Sequence, residues 1–281
     1  LVGSHGLTRK KVKKKQDERA NLERLATVTS GPNRYLLARI PCTLDAEGDH
    51  VLARESEGRV AAMLAGDEDG NALTDAIADD EHLAPFLEIP GKDNGFDIEG
   101  LSVANGRVYV GLRGPVLRGW AVVLSLVPQV KDDDPAVLTL ATREVARTGK
   151  DKKVERCYAK HFIDVAGMGI RELRATGKDL LVLAGPTMQL DGTIAVFRWK
   201  GGATADRDCI VPAQAVKRLF DVPHGTGADA GKDKAEGMTL WPAPRGQAKE
   251  LLVVYDSPSD RRLRGEAGVL ADLFPLASTA R

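Results

Sequence analysis

Residues 97–115 read DIEGLSVANGRVYVGLRGP. A short alternating stretch runs into a turn containing Gly106 and the basic Arg107, then a strongly apolar run, then Gly-Pro. That order predicts two short strands joined as a hairpin. The same order returns in GIRELRATGKDLLVLAGP at 169–186 and in KAEGMTLWPAPRGQAKELLVVYDSP at 234–258, where WPAPRGQ lengthens the turn. Glu99, Arg171 and Glu236 fall at corresponding positions, 72 and 65 residues apart. The opening LVGSH fits the end of the second strand of a fourth copy whose start is absent, so a fragment lacking its first strand is expected.

Further runs with strand character lie between these anchors: LERLATV, RYLLARI, WAVVLSLV, VLTLATREV, CYAKHFIDV, TIAVFRW and VKRLFDV. All are short, β-branched or aromatic, and bounded by Gly, Pro, Asp or Asn. Without long helices between them they argue against a doubly wound α/β fold. The expected fold is therefore all-β, a single β-propeller-like domain over 1–281 built from repeats of small antiparallel sheets, because radial repetition accommodates many short strands without long open edges. A β-sandwich is the competitor, but it leaves the recurring internal order unexplained. The copies are farther apart than a standard blade, and KDDDPA, RTGKDKKVE and KGGATADRDCIVPAQ are the candidate insertions. One short helical insertion is expected near 72–87, with an acidic face, since residues 67–82 hold seven carboxylates and no Lys or Arg.

The 281 residues include 40 basic and 40 acidic side chains at 43% hydrophobic content. That composition excludes wholesale disorder, and on bulk charge it excludes a simple polyanion-binding or polybasic membrane-binding protein. The basic run RKKVKKK at 9–15 is read as an exposed loop between strands, without the aromatic residues that base stacking needs, so no nucleic-acid partner is expected. No apolar run is long enough for a transmembrane helix. Cys42, Cys157 and Cys209 form no CxxC pair and are odd in number, which fits a reducing compartment better than a disulfide framework.

The period of a strand puts Asp97 and Glu99 on one face. If these strands are innermost, Glu99, Arg171, Glu172 and Glu236 form a ring at the mouth of a channel, suited to a cation, a sugar or, through Arg171, a phosphate. A structural role competes: carboxylates at such positions accept backbone N–H or arginine hydrogen bonds that join neighbouring sheets. The ends of the second strands supply His5, Arg113, Asp256 and Ser257, and Arg113 with Arg118 lies in a Gly-rich loop suited to an anion. His224 lies in a glycine-rich loop, without any zinc-binding spacing. No GxSxG, Walker A or GxGxxG motif is present, which removes the common hydrolase and nucleotide-binding readings.

KDNGFDIEGL, VYVGLRGPVLRGWA, GIREL, KAEGMTL with LLVVYDSP, and HLAPFLEIP together resemble the bacterial family called domain of unknown function 3616. The resemblance implies a propeller-like fold, distantly similar to esterase-like phytase propellers, and marks Asp97, Glu99, Gly100, Arg113, Arg171, Glu172, Glu236, Asp256 and Ser257 as motif positions without assigning them roles. It also implies further chain before the GSH motif. Two functions follow as expectations. The first is a module that binds a small polar ligand or a protein segment at the channel mouth, with no cofactor. The second is a hydrolase of phosphate or carboxylic esters in which Glu99 and Glu236, with Asp97, hold Ca²⁺ while Arg113 or Arg171 steadies an anion.

Overall fold

In the computed structural model, which describes residues 1–148, 152–188, 190–241 and 250–276, each of the three anchor stretches folds as an antiparallel hairpin. The first is β1 (Asp97–Ala104) with β2 (Arg107–Gly114), and the meander continues through β3 (Trp120–Leu126) and β4 (Tyr158–Asp164). Cys209–Ile210 adds a parallel edge beside β4. The second sheet runs β5 (Gly169–Thr176), β6 (Asp179–Gly185), β7 (Ile194–Trp199), β8 (Val216–Val222). The third runs β9 (Lys234–Trp241), β10 (Glu250–Asp256), β11 (Asp272–Pro275). Most of the lengthened turn WPAPRGQ lies outside the described residues.

A fourth sheet gathers Ala38–Arg39, Ala62–Leu64, Asp134–Leu140 and Pro128–Lys131, and Val2 bridges Leu37 beside it. One expected insertion, KDDDPA, thus belongs to a hairpin that leaves the first sheet and joins the fourth, pairing Val137 and Leu138 in parallel with Met63 and Leu64.

The sheets are stacked face to face, and this explains the continuous apolar runs. Leu180, Val182 and Ala184 of β6 face a core shared with Tyr109, Val123 and Ile163 of the first sheet. Leu181 and Leu183 face the opposite way, into a core with Met238, Leu251 and Val253 of the third. A strand covered on both sides has no polar face to alternate with. On the far side of the first sheet, Val110, Leu112 and Leu124 pack against Leu37, Leu64, Leu73 and Ile77. The first and second sheets approach closely because Gly100 and Gly111 leave a flat patch: a Cβ on Gly100 would stand 3.1 Å from both Ile170 and Leu173, and one on Gly111 would overlap Ile170.

Two helices are present among the described residues. The sequence LERLATV, read as a strand, is instead mostly the end of α1 (Glu18–Ala26), and only Val28–Thr29 is extended. Strong helix formers in ERANLERLA and the Asp17 side chain, which accepts from the Ala20 N–H at 2.9 Å, outweigh the β-like ending. The expected insertion is α2 (Ala72–Ile77), started by Asn71 in a reciprocal capping box with Thr74, and followed by a 3₁₀ turn at Ala84–Phe86. Leu73 and Ile77 are fully buried. Asp67, Glu68, Asp69, Asp75, Asp79 and Glu81 are exposed, as the expected acidic face requires, and Asp80 alone of the seven carboxylates faces inward.

Candidate functional site

β1, β5 and β9 lie side by side, each the first strand of its sheet, and each carries a residue that its hairpin partner does not match; in β2 Arg113 is likewise unmatched. Gly100 faces Gly111 while Ile98 faces Leu112, so Glu99 is the extra residue in β1. Ile170 faces Ala184 and Glu172 faces Leu183, which leaves Arg171 extra in β5. Ala235 faces Tyr255 and Gly237 faces Val254, which leaves Glu236 extra in β9. A β-bulge takes a side chain out of the regular alternation and re-aims it. The corresponding positions read from the sequence are thus the bulges, and the three bulges bring their charged side chains together.

Arg113, at the end of β2, pairs with Asp97 and donates from Nη1 toward Glu99 Oε1 at 2.8 Å. Arg171 donates from Nη1 to Glu236 Oε1 at 3.1 Å and from Nη2 to the Pro186 carbonyl at 3.1 Å, and its Nη1 lies 3.8 Å from Glu99 Oε2. The result is a chain of alternating charge, Asp97, Arg113, Glu99, Arg171, Glu236, running across three sheets. Gly185 leaves room for it: a Cβ there would stand 2.5 Å from Arg171 Nε.

The two arginine side chains are 5% exposed, those of Glu99 and Glu236 25% and 42%. Solvent therefore meets Glu236 and the edge of Glu99, while the guanidinium groups, Asp97 and Glu99 Oε2 are buried beneath them. Burial pushes Glu99 up to about 7; Asp97 and Glu236 add to the shift, and Arg113 and Arg171 oppose it. Its Oε2 is buried and has no hydrogen-bond partner among the described residues. Burial also raises Asp97, against Arg113, Arg34 and Lys92. Lys92 is lowered by its own burial, then by Arg113 and Lys11.

Glu172 takes the structural role. Its Oε1 accepts the N–H of Leu173 at 2.7 Å and that of Leu101 at 3.3 Å, joining β5 to β1, and burial raises its pKa. His5 stands apart from the charge chain. It is 2% exposed, bonds the Gly3 carbonyl through Nδ1 and accepts from Asn71 Nδ2 at Nε2, both at 2.8 Å, so it ties the N-terminal strand to the cap of α2. Burial lowers its pKa to about 4. Asp256 and Ser257 are exposed at the end of β10, the hydroxyl donating to its neighbour's carboxylate at 3.2 Å.

Sequence reasoning missed Arg34 and Lys92, whose positive charges oppose the upward shift of Asp97 from outside the repeats. Arg34 donates to Ser4 Oγ and the Gly6 carbonyl, both at 2.9 Å. It also missed a second buried network. Asp80, its side chain 1% exposed, accepts from Tyr158 at 2.6 Å, from Lys160 at 2.9 Å and from Arg156 at 3.0 Å. Burial alone would raise Asp80, yet Tyr158, Lys160 and the His82 N–H bring it down to about 2. Alternating apolar residues around Tyr158 and Lys160 signal a strand but not a polar partner 80 residues upstream.

A Ca²⁺ ion takes six to eight oxygen ligands. Glu99 and Glu236 instead flank one guanidinium group, and a cation between them would meet the positive charge of Arg171. Among the described residues no group of three or more His, Cys, Asp or Glu side chains is arranged to hold a metal. The residues present do not fit a calcium centre at this place.

No helix among the described residues is long and apolar enough to cross a membrane. Comparison with curated proteins and with solved structures finds no match. The family model described as protein of unknown function (DUF3616) matches residues 1–272, and the chain belongs to that family.

Proposed function

We propose that this chain is a binding module of propeller-like form, which takes a small polar ligand or a polar protein segment at the mouth where the three bulges meet. The observation that carries this reading is the contrast in exposure along the charge chain: Glu236 and part of Glu99 reach solvent, while the arginines and Asp97 lie beneath them. A surface of that kind favours hydrogen-bond donors, so amines and hydroxyl-rich groups suit it better than phosphates do. The cavity lined by Arg171, Pro186, His224 and Lys234 is about 10 Å³, room for one water molecule, so the ligand rests at the mouth rather than in an enclosed chamber. Ester hydrolysis finds less support, because the arginines that would steady an anion are already bonded to carboxylates.

The test is titration, followed by NMR, with glucosamine, glucose, inorganic phosphate and Ca²⁺ in turn. Saturable shifts are expected with the amino sugar and are expected to be lost in Glu99→Gln. Saturation by phosphate or Ca²⁺ alone, with glucosamine silent, would reverse the assignment of ligand class.

A further inference from the structure

The basic run lies on an ordered arm that projects from the body of the protein. Strand pairs Thr8 with Thr29 and Arg9 with Val28 form its base, and Arg9 pairs with Asp93 at 2.7 Å. Beyond that base every residue from 10 to 19 is exposed. The arm nevertheless has internal order. Asn21 of α1 accepts the Lys13 N–H at 2.9 Å and donates to the Lys13 and Gln16 carbonyls, and Arg24 donates to the Lys11 carbonyl at 2.6 Å.

These bonds use Asn21, Arg9 and Arg24 to hold the backbone and leave the lysines pointing away. Among the described residues Lys10, Lys11, Lys13, Lys14 and Lys15 make no ion pair. Residues 9–28 carry eight basic and three acidic side chains. The same arm leaves aliphatic groups largely open to solvent: Val12 is 54% exposed, Leu22 61%, Leu25 44% and Val28 38%, and α1 contains no buried residue.

We infer that this arm docks on an anionic lipid surface, its lysines meeting the headgroups while Leu22, Leu25 and Val12 enter the interface. The charge is complementary to acidic lipid, and exposed aliphatic side chains interspersed with lysines match the two components of interfacial binding. A nucleic acid would use the same lysines but has no use for the leucines. It would call for stacking side chains, and residues 9–29 contain no aromatic residue. The overall neutrality of the chain does not oppose this, because the attraction acts within a Debye length of the surface. A nine-residue helix lies along such an interface and does not span it.

The experiment is co-sedimentation of the whole chain with vesicles of phosphatidylcholine alone and with vesicles containing roughly one-third phosphatidylserine. Binding only to the acidic vesicles is expected. Lys13→Gln/Lys14→Gln/Lys15→Gln should weaken it on the order of 100-fold, about fivefold per lysine. Leu22→Ser/Leu25→Ser should weaken it by about tenfold or more. All five positions are exposed, so thermal melting of both variants should match the parent. A single-stranded RNA oligonucleotide and heparin serve as competing polyanions. Failure to bind acidic vesicles, or vesicle binding unaffected by the leucine changes, would overturn lipid docking. RNA binding that exceeds vesicle binding would assign the arm to nucleic acid instead.

Discussion

Arg171 of the second sheet and Glu236 of the third, 65 residues apart in the chain, meet through a hydrogen bond of 3.1 Å from Nη1 to Oε1. Both are bulge residues, and the same Nη1 lies 3.8 Å from Glu99. Replacing Arg171 by Met removes the guanidinium that the two carboxylates share. We expect Arg171→Met to cost about 3 kcal/mol at pH 8, by urea denaturation, because a charge buried with a partner is left without one. The cost should shrink at pH 5, where Glu99 is protonated. A cost equal at both values would mean that Arg171 acts through packing alone.

Glu99 links stability to pH in a defined direction. Its pKa rises on folding from 4.5 to about 7, so between those values the folded chain holds a proton that the unfolded chain has released. Stability contributed by this group is therefore full below pH 4.5, falls as pH rises to about 7, and is level above. Glu99→Gln lacks this dependence. Relative to the parent, the variant should gain up to about 3 kcal/mol across the window. Denaturant titrations at half-unit pH steps on both proteins measure the difference directly.

His5 works in the opposite direction. Its pKa falls from 6.5 to about 4, so as pH drops through that interval the unfolded chain takes up a proton that the folded chain refuses. Stability is lost on acidification, and His5→Gln should remove up to about 3 kcal/mol of that loss. The check is melting temperature at pH 7 and pH 4.5 for each protein, with the difference between the two pH values smaller in the variant.

The flat glycine patch between the first two sheets predicts a clash. Gly111→Ala should destabilise by about 1–3 kcal/mol, because its new methyl group overlaps Ile170. Adding Ile170→Ala should make the Gly111 change cheaper than it is alone. A double-mutant cycle by chemical denaturation reads that coupling. Additive costs would place the strain elsewhere.

Asp80 and Lys160 form a buried pair, their side chains 1% and 3% exposed. Asp80→Asn should cost about 3–5 kcal/mol by leaving the buried ammonium only the exposed Glu81 carboxylate, 3.8 Å away, as a charged partner, and Asp80→Asn/Lys160→Met should recover part of it. Denaturation midpoints of the single and double variants settle whether the pair or the surrounding packing holds α2 against β4.

Repetition made much of the fold legible. The hairpins at 97–114 and 169–185 could be read because each sheet begins with the same local order, and β6 and β3 announced themselves as apolar runs because they are covered on both faces. The alignment of Glu99, Arg171 and Glu236 was readable for the same reason, while the fact that each is a bulge was not, since a bulge is defined by two strands at once and a sequence gives them separately. His5 reads as a binding group at a strand end because nothing nearby signals Asn71, 66 residues away. The strand reading of Leu22–Val28 gave way to a helix started by Asp17, which lies just outside the run that was read. Lys92 and Arg34 escaped notice because they come from segments that do not repeat.

The three bulges have a bearing on how such a surface changes over time. A bulge residue is excused from its ladder, so exchanging Glu for Arg there alters the sign of one contact without disturbing the hydrogen-bond register of the strands around it. In the proposed binding role the three positions would act like interchangeable keys set in a fixed lock case: one substitution per strand would reset which donors the surface accepts, while the stacked sheets behind it keep their shape.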